Sequence, residues 1–167
     1  DKKCSPAAIA NNFLWLAKKE NKKLTPMKLV KLVYFAYGWG LVLLNRKLFS
    51  EEIEAWTHGP VIPSVYDEFK RFGRHAIDTF ASKSEYNKET GEIEATFPVV
   101  DKEDTDVLAI INAIWERYKD KTAWDLSLLT HEKGSPWEKV YAKGDNASLN
   151  DEDIKRRCLE VIQEYYK

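Results

Sequence analysis

The sequence predicts a mainly α-helical fold of about six helices around one central apolar helix, with a small antiparallel β hairpin or sheet. The first observation is the run from Leu29 to Leu44, which only Lys31 and two glycines interrupt. A helix without a polar face has to be surrounded by the rest of the fold. The second observation is the chain length of 167 residues, which suits one domain, residues 1–167, with a substantial core.

Two helix starts near the N-terminus are marked by a capping residue followed by proline. Ser5 and Pro6 begin the first helix, and Thr25 and Pro26 begin the central one. A serine or threonine side chain can accept a hydrogen bond from the first turn, and proline lacks an N–H group that would be unpaired there anyway. The polar connection Asn21 to Lys23 is short, so we expect the two helices to pack as neighbours.

The middle of the chain carries the strand signals. Partial alternation from Phe49 to Trp56 and clearer alternation from Ile93 to Phe97 predict the strands of the small sheet. Thr79 to Ser84 is an alternative partner for the second of these segments. Between them, Gly59 to Pro63 requires a non-helical bend, because a residue before proline avoids the α region. The last proline of that bend begins a short helix, which Gly73 ends.

The second half of the chain is helical. Apolar side chains recur at helical spacing, acidic residues precede the helices, and capping residues mark their starts. The predicted segments are Asp101 to Lys119, Thr122 to Leu129, Ser135 to Ala142 and, after a loop at Gly144 to Asn146, a last helix that Asn150 caps.

Composition restricts the classes of function. The 26 basic residues nearly balance the 27 acidic ones, so the net charge of -1 makes nucleic acid an unexpected partner. Cys4 and Cys158 alone make no disulfide framework, and no secretory signal is seen, so a cytoplasmic location is predicted. The central run is shorter than the roughly 20 apolar residues of a membrane-spanning helix, so no membrane association is expected.

The three histidines are candidate metal ligands or acid–base groups. His58, His75 and His131 lack the HxxxH and HExxH spacings, and the chain has no CxxC pair. We therefore expect no metal and no cofactor, and we expect His58 and His131 to hydrogen-bond the backbone beside Trp56 and Trp137. There is no GxSxG elbow or glycine-rich phosphate loop. A small metal- or His-dependent enzyme of phage or bacterial origin stays the alternative hypothesis.

Aromatic residues concentrate in two turn regions, Trp56 to Tyr66 and Leu128 to Tyr141. Tryptophan and tyrosine in rigid turns are typical anchors of protein-binding surfaces, although burial in a core explains many of them equally well. The aromatic turns are therefore candidates both for a protein-binding surface and for the core.

Two separated runs carry a family resemblance. The first is Thr25 to Trp39 followed by Leu48 to Tyr66, and the second is Leu126 to Glu132 followed by Ser135, Pro136 and Trp137. In this order they resemble the Panacea domain, also called the SocA-like antitoxin family. The resemblance extends from about Pro6 to about Ala142, and two signatures in the right order are more specific than a single motif.

The resemblance implies a bacterial or prophage antitoxin that neutralises a cognate toxin encoded beside it, by direct binding or by delivery to a protease. It implies no catalysis. Whether the matching residues touch the toxin or shape the fold is open, and shape is favoured for the glycine and the prolines of the bend. The matching positions are Trp56, His58, Gly59, Pro60, Val61, Pro63, Tyr66, Thr130, His131, Ser135, Pro136 and Trp137.

Overall fold

The structure is a computed structural model that describes residues 4–142 and 146–167. Within those ranges it contains seven α-helices and five short strands, which confirms the predicted mainly α class with a small β component. The helices are α1 (Pro6–Lys19), α2 (Pro26–Leu43), α3 (Pro63–Phe69), α4 (Thr105–Tyr118), α5 (Ala123–Thr130), α6 (Pro136–Tyr141) and α7 (Asp151–Tyr165), and a 3-10 turn, Lys70–Phe72, follows α3. The strands are β1 (Glu54–Trp56), β2 (Gly59–Val61), β3 (Lys83–Asn87), β4 (Glu92–Thr96) and β5 (Ala147–Ser148).

Helix α2 is the centre of the fold, as predicted. Every residue from Leu29 to Leu41 is buried, and α1, α3, α4, α5 and α7 all pack against it. The buried set includes Lys31, which the sequence analysis treated only as an interruption of the apolar run. A helix buried on all sides derives its stability from packing rather than from an amphipathic face.

Most predicted helix starts are confirmed by their caps. Side-chain oxygens accept hydrogen bonds from backbone N–H groups of the first turn, which would otherwise be unpaired. Helix α3 begins at Pro63 as predicted but has no side-chain cap, and α4 begins at Thr105 and not at Asp101. The capping side chains are Ser5, Thr25, Thr122, Ser135 and Asn150.

Helices α2 and α7 approach closely at Gly38. A Cβ atom placed there would lie 2.2 Å from Sγ of Cys158, so this glycine is needed for the contact. Burial raises the pKa of the Cys158 thiol to about 12, because the thiolate would be poorly solvated in the core. Cys158 is therefore a packing residue of the core.

The strand pairing differs from the prediction. The segment before Trp56 does not pair with the segment around Ile93; β1 instead lies between β2 and β5, and β3 and β4 form a separate hairpin. Trp56 pairs with Gly59 across the short turn at residues 57–58, whereas Ile93 pairs with Tyr86. Both hairpins are closed locally, and a local turn loses less chain entropy than a long-range pairing.

Two further expectations concern the loop before the last helix and a membrane-spanning segment. Gly144 and Asp145 of the predicted loop lie outside the described residues, while Asn146 has a left-handed φ of 65°. None of the helices in the described ranges combines the length and hydropathy of a membrane span.

Candidate functional site

The two signature runs meet at the turn between β1 and β2. Trp137 in α6 donates from its indole Nε1 to the carbonyl oxygen of Trp56 at 2.6 Å. Ser127 in α5 donates from its hydroxyl to the carbonyl oxygen of His58 at 2.8 Å. The second run thus supplies side-chain donors to the backbone of the first. Buried carbonyl groups of a turn need such partners, and here they come from helices far away in sequence.

His131 is the third link between the runs. Its Nε2 lies 3.0 Å from the carbonyl oxygen of Thr57, and its Nδ1 lies 2.6 Å from that of Ser127. The ring also contacts the indole of Trp137, with ring centroids 4.0 Å apart. Since both ring nitrogens face backbone carbonyl oxygens, neither is directed at a metal or a substrate. The predicted backbone-bonding role is therefore confirmed for His131.

His58 behaves differently from the expectation. Its side chain is exposed, and it takes part in the turn through its carbonyl oxygen. His75 is also exposed and lies in the segment after α3. Within the described ranges, no group of three or more His, Cys, Asp or Glu side chains is close enough to hold a metal ion.

Gly59 follows this turn in a conformation that only glycine adopts readily, with φ of 116°. A Cβ atom there would lie 2.7 Å from Oγ1 of Thr130 and 2.8 Å from Cε of Lys31. Thr130 is itself buried and donates its hydroxyl to the carbonyl oxygen of Ser127 at 2.8 Å. Gly59 therefore permits a close approach of β2 to both α2 and α5.

Lys31 is the buried charge that sequence reasoning overlooked. Its side chain is 1% exposed, and its Nζ donates to the carbonyl oxygen of Pro60 at 3.2 Å. Burial in poorly polarisable surroundings lowers the pKa of Lys31 to about 7, because the ammonium form loses its hydration. The available signal was a lone lysine inside an apolar helical run. Such a residue is a candidate functional group when it borders a cavity.

A pocket of about 590 Å³ opens in front of Lys31, between α2, the β1–β2 turn and α3. We call it the Lys31 pocket. One wall is formed by Trp56 and Tyr66, whose rings meet edge to face with centroids 4.9 Å apart. His58 and Lys70 also line the pocket, and both are exposed. Its volume falls in the range of about 300–1,000 Å³ that is typical of ligand sites.

The predicted motif residues divide into two groups by accessibility. One group has little exposed surface, although Val61 in it lines the Lys31 pocket, whereas the other group reaches the surface. The buried residues are Gly59, Pro60, Val61, Thr130, Ser135 and Pro136, and the half-buried or exposed ones are Trp56, His58, Pro63, Tyr66, His131 and Trp137.

We expect Lys31 to make stability depend on pH. Above its native pKa of about 7 the folded chain holds Lys31 neutral, whereas an unfolded lysine stays protonated up to about pH 10.4. The unfolded state then binds more protons, so the free energy of unfolding rises with pH between those two values. One group contributes at most about 1.4 kcal/mol per pH unit. The measurement is urea denaturation at several pH values, for the parent chain and for Lys31→Met.

The difference between the two chains isolates Lys31, because all other groups titrate in both. The free energy of unfolding of the parent, minus that of Lys31→Met, should become more positive as the pH rises from about 7 to about 10. Lys70→Met is the matched control, since Lys70 is exposed and paired with Asp67 at 3.2 Å. A parent-to-Lys31→Met difference that stays constant over this window would contradict the neutral amine.

Comparison with known proteins gives a family match that includes most of the first run and all of the second. Residues 29–138 match the family described as "Antitoxin SocA-like, Panacea domain". Over 160 residues the chain is 31% identical to "Antitoxin SocA" of Caulobacter vibrioides (strain NA1000 / CB15N), covering 96% of this chain and 81% of that protein. No solved structure matches the chain.

Proposed function

Because the chain belongs to the Antitoxin SocA-like, Panacea domain family, we propose that it is an antitoxin that neutralises a cognate toxin encoded beside it. The proposed mode is direct, non-catalytic binding of the toxin. The observation that carries the proposal is the similarity to "Antitoxin SocA" over 96% of the chain, which includes both signature runs and the helices that hold them.

We place the toxin-binding surface around the β1–β2 turn. Trp56, His58 and Tyr66 lie there on one face, and Trp137 supports the turn from behind. Tryptophan and tyrosine contribute most to interfaces when they combine a rigid apolar body with a polar atom. The backbone of the turn is held by hydrogen bonds from α5 and α6, so less backbone entropy is lost on binding.

The first experiment expresses the adjacent gene in bacteria, with and without this chain. We expect the neighbour to arrest growth and the chain to restore it. The antitoxin role would be excluded if the protein encoded by the adjacent gene stayed toxic at full expression of this chain and did not co-elute with it in gel filtration.

Two variants test the surface. His58→Ala and Tyr66→Ala each remove a side chain that is exposed, so the fold should persist. We expect each to weaken toxin binding by at least about fivefold, the loss associated with an interface anchor. His75→Ala is the matched control, because it removes an equally exposed histidine outside the signature runs. Equal losses in all three variants, or none in any, would place the interface elsewhere.

An assay with purified toxin and purified chain distinguishes direct neutralisation from delivery to a protease. Toxin and chain mixed without any protease should form a stable complex in which the toxin is inactive. Neutralisation that appears only when a cellular protease is present would exclude direct binding as the mechanism and support delivery.

A further inference from the structure

The Lys31 pocket contains a charged group whose polar surroundings are incomplete. An ammonium group has three N–H donors. Among the described residues, Lys31 makes one hydrogen bond, to the carbonyl oxygen of Pro60, and no ion pair with a carboxylate. Desolvating a charge without pairing it costs several kcal/mol. In the protonated form of Lys31, which a nearby carboxylate would favour, two N–H donors therefore stay available to an acceptor that enters the pocket.

The ionisable side chains that line the pocket, apart from that of Tyr66, are basic. Lys31, Lys70 and His58 line it, and none of its described lining residues is an aspartate or glutamate. An anionic group on a ligand would meet a complementary environment here, and a cationic one would not.

The walls of the pocket indicate what accompanies the anionic group. Met27 and Val30 of α2 supply apolar surface, and Trp56 and Tyr66 supply aromatic surface. No arginine is among the described lining residues, so the bidentate forks that usually hold a phosphate are missing. One deep ammonium within apolar walls fits a single carboxylate that is attached to an apolar body.

We propose that the Lys31 pocket binds an acidic side chain of the partner protein, with Lys31 as its charge partner and an adjacent apolar residue against Trp56 and Tyr66. This inference rests on the proposed antitoxin function for the identity of the partner. The carboxylate preference of the pocket is a property of this chain alone. The Gly59 backbone is part of the device, because a Cβ atom there would lie 3.2 Å from Nζ of Lys31.

The pocket is tested first without any toxin. The probes are 3-phenylpropionate and its neutral analogue 3-phenylpropionamide, titrated into the labelled full chain and followed by two-dimensional NMR. We expect saturable shifts at pocket residues, and at least about fivefold tighter binding of the acid than of the amide. Lys31→Met, which keeps an unbranched apolar side chain as far as Cε but removes the amine, should abolish that preference. Lys133→Met, which alters an exposed lysine away from the pocket, should retain it.

Acid and amide that bind equally to the parent, or a preference that survives in Lys31→Met, would overturn the carboxylate site. The second arm measures toxin binding by Lys31→Met, whose affinity we expect to fall at least about tenfold. Unchanged affinity would overturn the role of Lys31 toward the partner while leaving the antitoxin function intact. Failure of the parent chain to bind or neutralise the neighbour would overturn the proposed function and the assignment of the partner, while a carboxylate preference for the probe would stand.

Discussion

Replacing Trp39 by alanine is expected to lower the free energy of unfolding by about 3–5 kcal/mol, the usual cost of truncating a large buried aromatic side chain. Trp39 lies in the middle of α2 and is 2% exposed. Five helices pack against α2, so its surroundings are held in place from several directions. They cannot move inward enough to fill the cavity that the missing indole leaves. The measurement is equilibrium denaturation followed by far-ultraviolet circular dichroism, since removing a tryptophan alters the fluorescence signal.

Trp15→Ala is the matched control for this loss. Trp15 lies on α1, is 52% exposed and contacts the solvent-facing Lys19, whose Nζ is 4.2 Å from the ring centroid. Its removal should cost less than about 1 kcal/mol. Equal effects of the two substitutions, or a Trp39→Ala variant as stable as the parent, would contradict the central position of α2.

Replacing Gly59 by alanine is expected to destabilise the fold by about 2–6 kcal/mol. Part of the cost is the positive φ of 116°, which strains any residue with a Cβ atom by about 1–3 kcal/mol. The rest is overpacking, because the new atom meets Thr130 Oγ1 at 2.7 Å and Lys31 Cε at 2.8 Å. We further expect weaker toxin binding by the folded fraction, since relief of the contact displaces the turn that carries His58.

Gly91→Ala is the comparison variant, because it has a positive φ without a close contact of the added Cβ atom. Gly91 has a similarly positive φ of 73°, yet a Cβ atom there meets nothing nearer than the hydroxyl of Tyr86 at 3.9 Å. It should therefore carry the backbone strain alone, about 1–2 kcal/mol. Denaturation of both variants gives the additional cost at Gly59, which combines its close contacts with the greater strain of its φ of 116°. If the two losses were the same, Gly59 would be needed only for its conformation.

The helices were predictable because their signals are local. A capping side chain, the proline after it and the apolar spacing of the following turns all lie within a few residues of one another. Thr25 with Pro26 marks the start of α2, and Ser135 with Pro136 marks the start of α6, as the structure confirms. The nearly continuous apolar run from Leu29 to Leu44 likewise predicted that α2 is surrounded by the rest of the fold.

The pairing of strands was not predictable to the same extent. The alternation around Ile93 correctly indicated a solvent-facing strand, but a period of two says nothing about which strand lies alongside. Thr79 to Ser84, the alternative partner, came closer than the segment before Trp56, since β3 begins at Lys83. For the short strands β1 and β2, the choice depended on a turn that distant helices hold in place.

By itself, the sequence determined the fold class, the central helix, the positions of most helix caps and the family resemblance, because each depends on neighbouring residues or on a linear motif. Only the tertiary structure decided that Ser127, His131 and Trp137 bind the backbone of the β1–β2 turn. The same holds for the burial of Lys31 beside a pocket, because a lone lysine in an apolar run is a candidate but does not show by itself whether its amine reaches solvent. Hydrogen bonds and desolvation depend on which groups meet across the fold, and those meetings arise only when the helices pack.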